Sequence, residues 1–147
     1  MNTTYQRATV RLVRERAPEP YRRALRGTAD AVAFLSDLRA LDREHFEALH
    51  LDGRNCVIAR ETISVGTSNE ALVQPREVFR AALLTGAAAL IVAHNHPSGD
   101  PAPSAEDIET TRKLRDAGEL IGVRVFDHVI LAAGGASYYS FAESGLL

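Results

Sequence analysis

The sequence predicts a single α/β domain with a mixed central sheet flanked by helices. Three observations carry that expectation. A chain of 147 residues suits one hydrophobic core. Stretches with strand-like alternation take turns with stretches of helical periodicity. One short continuous apolar run, residues 88–93, has the pattern of a strand covered on both faces, as the inner strands of α/β sheets are.

The elements follow in order. Residues 1–27 are polar, rich in arginine and interrupted by Pro18 and Pro20, so they form an N-terminal extension to the domain at residues 28–147. Within the extension, residues 9–13 alternate enough for a short edge strand. Thr28 or Asp30 can cap a helix running to about Leu41, with Val32, Leu35, Leu38 and Leu41 along one side. A hairpin comes next: residues 45–51 as one strand, the Asp52-Gly53-Arg54-Asn55 turn, and residues 56–65 as its partner. After a polar connection over 66–74, Pro75 stands at a first helical position, and Val78, Phe79, Ala82 and Leu83 make an apolar stripe ended by Gly86. The run 88–93 passes into the Pro- and Gly-rich loop 94–101. Ser104 starts a helix to about Ala117, stopped by Gly118. Residues 123–132 supply another strand and residues 137–141 a last short one.

Bulk composition narrows the function. Hydrophobic residues make up 46% and charged residues 24%, as in an ordinary globular protein. A net charge of −2 gives no general attraction to nucleic acid or an anionic membrane. The many arginines before Glu44, with a cluster at Arg22, Arg23 and Arg26, fit a solvated face or a nucleic-acid contact. Cys56, as the single cysteine, excludes an intramolecular disulfide framework and a cysteine-rich zinc site. It follows a turn into an apolar strand and is expected to be buried and inert. No signal-like start and no apolar stretch long enough for a bilayer are present, which points to a cytoplasmic protein.

The chemistry concentrates in His94-x-His96, then seven residues, then Ser104-x-x-Asp107. One intervening residue puts the two imidazoles on one face of an extended chain. The Pro97-Ser98-Gly99-Asp100-Pro101 loop then turns back, so Asp107 arrives in the first turn of the next helix. Three ligands can thus converge at a strand–helix junction, leaving a fourth position open as in a catalytic zinc site. Each part also has a plainer explanation. Ser104 with Asp107 is a helix N-cap followed by an acid near the positive end of the helix, and the loop is an ordinary turn. Asn95 and Ser98 shape the loop or touch substrate. Asp127 and His128, in an apolar strand, form a structural hydrogen-bonded pair or orient a ligand imidazole.

The spacing His94-x-His96-x7-Ser104-x-x-Asp107 matches the JAMM motif, and the chain resembles the JAB/MPN metallopeptidases. The longer string His94-Asn95-His96-Pro97-Ser98-Gly99, with Gly66-Thr67, Pro75-Arg76-Glu77-Val78-Phe79 and Asp127-His128-Val129-Ile130, is similar to the bacterial RadC branch. The likeness runs from about Ala29 to the C-terminus. It implies a JAB/MPN-like, cytidine-deaminase-like fold and one zinc ion per chain held by His94, His96 and Asp107. It also implies a glutamate upstream that takes a proton from the attacking water. Glu44 matches that position, with Glu47 and Glu61 as rivals within the chain. Ser104 would stabilise the oxyanion through its hydroxyl. The implied activity is hydrolysis of a peptide or protein amide, including conjugates of ubiquitin-like modifiers. Two other classes stand beside it. One is a DNA-associated protein of the RadC kind, with a role in DNA repair or mobile elements. The other is an interaction module with a structural metal, whose fourth ligand would come from His45, His50 or Cys56.

Overall fold

A computed structural model describes residues 6–13, 15, 23–66 and 73–147. The elements are α1 (Thr28–Phe34), a 3-10 turn (Ser36–Ala40), β1 (Glu44–Leu51), β2 (Val57–Gly66), α2 (Pro75–Thr85), β3 (Ala89–His96), α3 (Ala105–Ile121), β4 (Arg124–Ala132) and β5 (Tyr138–Ser140). The five strands form one mixed sheet in the order β2-β1-β3-β4-β5. Neighbours run antiparallel except β3 and β4, which are parallel. A parallel pair needs a long crossover, and α3 supplies it.

Alternation along the strands builds two cores. Leu90 and Val92 of β3, with Phe46 and Ala48 of β1, pack against Val78, Phe79 and Ala82 of α2 and Leu114 of α3. Ala89, Ile91 and Ala93, with Leu49 and Leu51, pack on the other face against Ala31, Leu35 and Leu38. The sheet is therefore a middle layer, and β3 lies at its centre. This is the α/β architecture the sequence predicts.

Several boundaries differ from the sequence reading. Residues 9–13 carry no strand. The helix proposed to reach Leu41 breaks at Leu35 into α1 and the 3-10 turn. The reason lies in the stripe itself: Leu35, Leu38 and Leu41 recur every three residues, the repeat of a 3-10 helix and not of an α-helix. Neither Thr28 nor Asp30 caps α1. Gly27 holds that position without a side-chain bond, Asp30 accepts from the Arg26 N–H at 2.8 Å, and the Thr28 hydroxyl donates to Asp127. Helix α3 runs through Gly118 to Ile121 and ends on left-handed Gly122. Gly118 is a packing residue: a Cβ there would stand 2.6 Å from the Val123 carbonyl oxygen and 3.3 Å from the Phe79 ring. Cys56 is half-buried. The polar connection over 67–72 lies outside the described residues, as do Arg22 and the prolines of the extension.

Two contacts fix the end of the sheet that matters below. The Arg39 guanidinium donates to the carbonyls of Ala132, Ser137 and Ala136 at 2.6–3.0 Å, closing the β4–β5 turn. The Ala133 N–H of that turn donates to His96 O at 3.2 Å. Among the described residues, no helix is long and apolar enough to cross a membrane.

Candidate metal centre

The sequence reading placed His94 in a loop. Instead, β3 continues through His96, because both neighbours extend its ladder: Phe46 pairs with His94 on one side, and Ile130 to Ala132 pair with His94 to His96 on the other. The imidazoles of His94 and His96 thus share the sheet face of Leu90 and Val92. His94 is 0% exposed and stacks on Phe46, with ring centroids 5.8 Å apart. The chain then turns at Gly99, whose φ of 84° and 3.4 Å Cβ approach to Ala133 O suit glycine. Ser104 caps α3 through a reciprocal capping box: its Oγ accepts from the Asp107 N–H at 3.1 Å, and its own N–H donates to Asp107 Oδ2 at 2.7 Å. The cap therefore aims the Asp107 carboxylate back at β3.

Glu44, His94, His96 and Asp107 each offer one ligand atom, all within 4.8 Å of one another, and as a group they could hold a metal ion. His94 Nε2 lies 3.0 Å from His96 Nε2 and 3.2 Å from Asp107 Oδ1, and His96 Nε2 lies 3.5 Å from Asp107 Oδ2. Glu44 Oε1 is 3.7 Å from His94 Nε2. A tetrahedral shell with bonds of about 2.0–2.1 Å sets neighbouring ligand atoms roughly 3.3 Å apart. The three motif residues are spaced for such a shell.

Hydrogen accounting gives the same answer from the donor set. Thr111 Oγ1 donates to the Asp107 carbonyl at 2.6 Å, which uses its single hydrogen. Its 2.6 Å contact with His128 Nδ1 must then be donated by the imidazole. Burial above all holds the His128 pKa well below its ordinary value, so this ring is neutral and its Nε2 carries a lone pair. His94 Nδ1, 2.8 Å away, donates to that lone pair, and His94 Nε2 is left as a bare acceptor. His96 Nδ1 likewise donates to Asp100 O at 2.8 Å, which leaves a neutral His96 with a bare Nε2 too. Two imidazole lone pairs and an ionised carboxylate now converge on one point. Such a set of acceptors is stable only around a cation, a proton or a metal.

The titration directions agree. Bonding to Asp107, opposed by burial, raises the His96 pKa. Burial works against an ionised Asp107, yet when a proton occupies that point on His94 or His96, its bond to the carboxylate outweighs burial and holds this carboxyl far below the usual range.

The structure separates Asp127 from His128, so the two do not form the structural pair expected from their adjacency. A bulge in the β3–β4 pairing puts Leu90 opposite Val125 but Ile91 opposite Asp127, and the skipped Phe126 shifts the alternation by one. His128 thereby faces His94, while Asp127 faces away. Asp127 accepts from Thr28 Oγ1 at 2.8 Å, Ser140 Oγ at 2.7 Å and Ala142 N at 3.0 Å, tying α1 to the C-terminal segment. Thr111 escaped the sequence reading. Its available signal was the four-residue spacing from Asp107, one helical turn along the same face. His50 lies apart from the cluster, bonded to Thr85 Oγ1 at 2.9 Å, and Cys56 sits by the β1–β2 turn, with its Sγ 4.0 Å from Arg54 O.

A mixed sheet with two histidines ending a central strand and an aspartate opening the next helix defines a JAB-type fold carrying a candidate metal site. A family model described as "RadC-like JAB domain" matches residues 25–146, and the chain belongs to that family. It is 53% identical over 113 residues to a UPF0758 protein of Desulforamulus reducens, covering 77% of this chain and 49% of that one. A UPF0758 protein of Bacillus licheniformis is 46% identical over 127 residues, 86% of this chain and 56% of its own. The chain thus spans about half the length of the curated relatives it matches.

Proposed function

We propose that this chain is a zinc-dependent hydrolase of amide bonds in which Glu44 activates the attacking water. The observation that supports it best is the convergence of three bare acceptors beside a carboxylate that stands slightly farther off. His94, His96 and Asp107 would hold the ion, and two imidazoles with one carboxylate suit zinc. Bound there, zinc supplies a Lewis acid that polarises a carbonyl and makes water more acidic.

The remaining work falls to the chain's own residues. Glu44 is 49% exposed, so its carboxylate reaches both the cluster and solvent, as a group that collects a proton and hands it to a leaving amine must. Ser104 Oγ acts as an acceptor in the helix cap, so its O–H remains available to donate to a developing oxyanion. Glu47 and Glu61 do not compete for the role of base. Glu47 is bound to Arg60 and Thr62, and Glu61 lies 3.4 Å from His50 Nε2. The substrate class that fits is a peptide or protein amide, conjugates of ubiquitin-like modifiers included.

Metal analysis of the purified protein should find about one zinc per chain, lost in His94→Ala and Asp107→Ala; normal retention in both variants would falsify the assignment. Glu44→Gln should keep the metal and lose turnover, and substrates trapped on it can be identified by mass spectrometry. If Glu44→Gln instead sheds the zinc, the glutamate is a fourth ligand that closes a structural site.

A further inference from the structure

Between the two histidines, Asn95 points to the opposite face of β3 and is completely buried. Its Oδ1 accepts from the His45 N–H at 2.7 Å. Its Nδ2 donates to Arg43 O at 2.8 Å and to Leu41 O at 3.4 Å. Arg43 O belongs to the peptide group just before the Glu44 Cα, and the His45 N–H belongs to the one just after it. One carboxamide therefore holds both peptide planes that flank Glu44, and with them its φ and ψ. Glu44 and His45 pair with Gly66 and Val65 of β2, but the β1–β3 ladder begins only at Phe46↔His94, so on the β3 side this side chain does for residues 43–45 what backbone pairing does for the rest of β1. Glu44 itself is half-exposed at the start of its strand, where its own side-chain contacts do little to fix it.

We infer that Asn95 is a positioning residue for Glu44, coupling the proposed base to the metal ligands on either side of it in β3. The inference rests on the reading of Glu44 as the base. The clamp needs an acceptor and a donor on one short planar group, which only asparagine offers at this length. Aspartate keeps the shape and the acceptor but turns a carboxylate oxygen toward Arg43 O.

The test compares Asn95→Ala and Asn95→Asp with the parent in the zinc-loaded full chain. Amide hydrogen exchange at His45 should accelerate about tenfold or more in both variants. Protection at Leu49 and Val92 and the zinc content should remain at parent levels, because His94 and His96 lie on the other face. Glu44→Gln should leave His45 protection unchanged, since the dependence runs from Asn95 to Glu44. With a fluorogenic peptide amide as probe, Asn95→Ala should lower kcat about 10–100-fold with little change in KM. It should add nothing further in a Glu44→Gln background. Unchanged His45 protection in both variants overturns the inference, as does loss of zinc and of core protection together, which marks a general scaffold residue. Activity retained by Glu44→Gln would instead overturn the hydrolase reading and leave the exchange result standing.

Discussion

Glu44 and Glu47 stand three residues apart on one strand, and their surroundings could hardly differ more. Glu47 is buried on the face of the 3-10 turn, where it accepts from Arg60 Nε and from Thr62 Oγ1 at 3.1 Å. Arg60 in turn donates twice to Asp37 at 2.9 Å. Burial works against the Arg60 charge, but its bonds to Asp37 and Glu47 more than offset it and raise its pKa. Every charge in that network meets its opposite, from buried Glu47 through Arg60 to the exposed Asp37. Glu44, on the other face, looks toward a cluster in which bare acceptors outnumber donors. An ion pair whose charges balance within the fold asks for no partner from outside, and removing one member leaves the other uncompensated. An excess of acceptors aimed at one point needs something from outside, and such imbalance is the mark of a site.

That contrast can be broken or sharpened by substitution. The largest effect should come from Glu44→Gln, which lowers amide turnover by about 10²–10⁴-fold while the urea midpoint of the zinc-loaded protein stays put. Next, Thr111→Val removes the group that orients His128. Nothing then dictates that His94 Nδ1 carries the hydrogen, and zinc affinity should fall about 10–100-fold in a chelator competition. An affinity equal to the parent's would show that the ordered chain of bonds is incidental. Glu47→Gln should do the reverse of Glu44→Gln, costing about 1–3 kcal/mol of stability with activity per folded molecule retained. If Glu47→Gln silences the protein without unfolding it, the division between the two carboxylates is wrong.

The smallest effect concerns pH in the metal-free protein. His128 has its folded pKa below the unfolded value of 6.5, so below about pH 6.5 the unfolded chain binds a proton that the fold refuses. Stability should fall there. His96 is raised above 6.5, so its contribution is complete below pH 6.5 and fades as pH rises through the raised value. The two slopes oppose each other and place a stability maximum near neutrality, measurable by urea unfolding at a series of pH values. Zinc should remove the alkaline slope, because an ion on His96 Nε2 excludes the proton. A metal-free stability that is flat from pH 5 to 8 would count against both directions.

Much of this arrangement is legible in the residues. Helical and strand periods locate nearly every element of the domain, since burial on a sheet or helix face repeats every 2 or 3.6 residues. The same period places His94 and His96 on one side, and the cap signature at Ser104 brings Asp107 to the helix start. What escapes is anything that depends on pairing between distant segments. Asn95 reaches back fifty residues to His45. His128 acquires its hydrogen order from Thr111 and passes it to His94, across two other elements. The bulge at Phe126 reverses which of Asp127 and His128 faces the cluster, and no local pattern announces it.

Local periodicity and short spacing were therefore enough for most of the elements, the layered α/β class and the candidate metal ligands. Only the tertiary structure decided which carboxylate on β1 is neutralised and which is open, which ring nitrogen of His94 is bare, and what holds Glu44 in place. Each of those depends on hydrogen-bond partners that become neighbours only after the sheet has formed. A buried donor or acceptor has its role set by the partner it meets there.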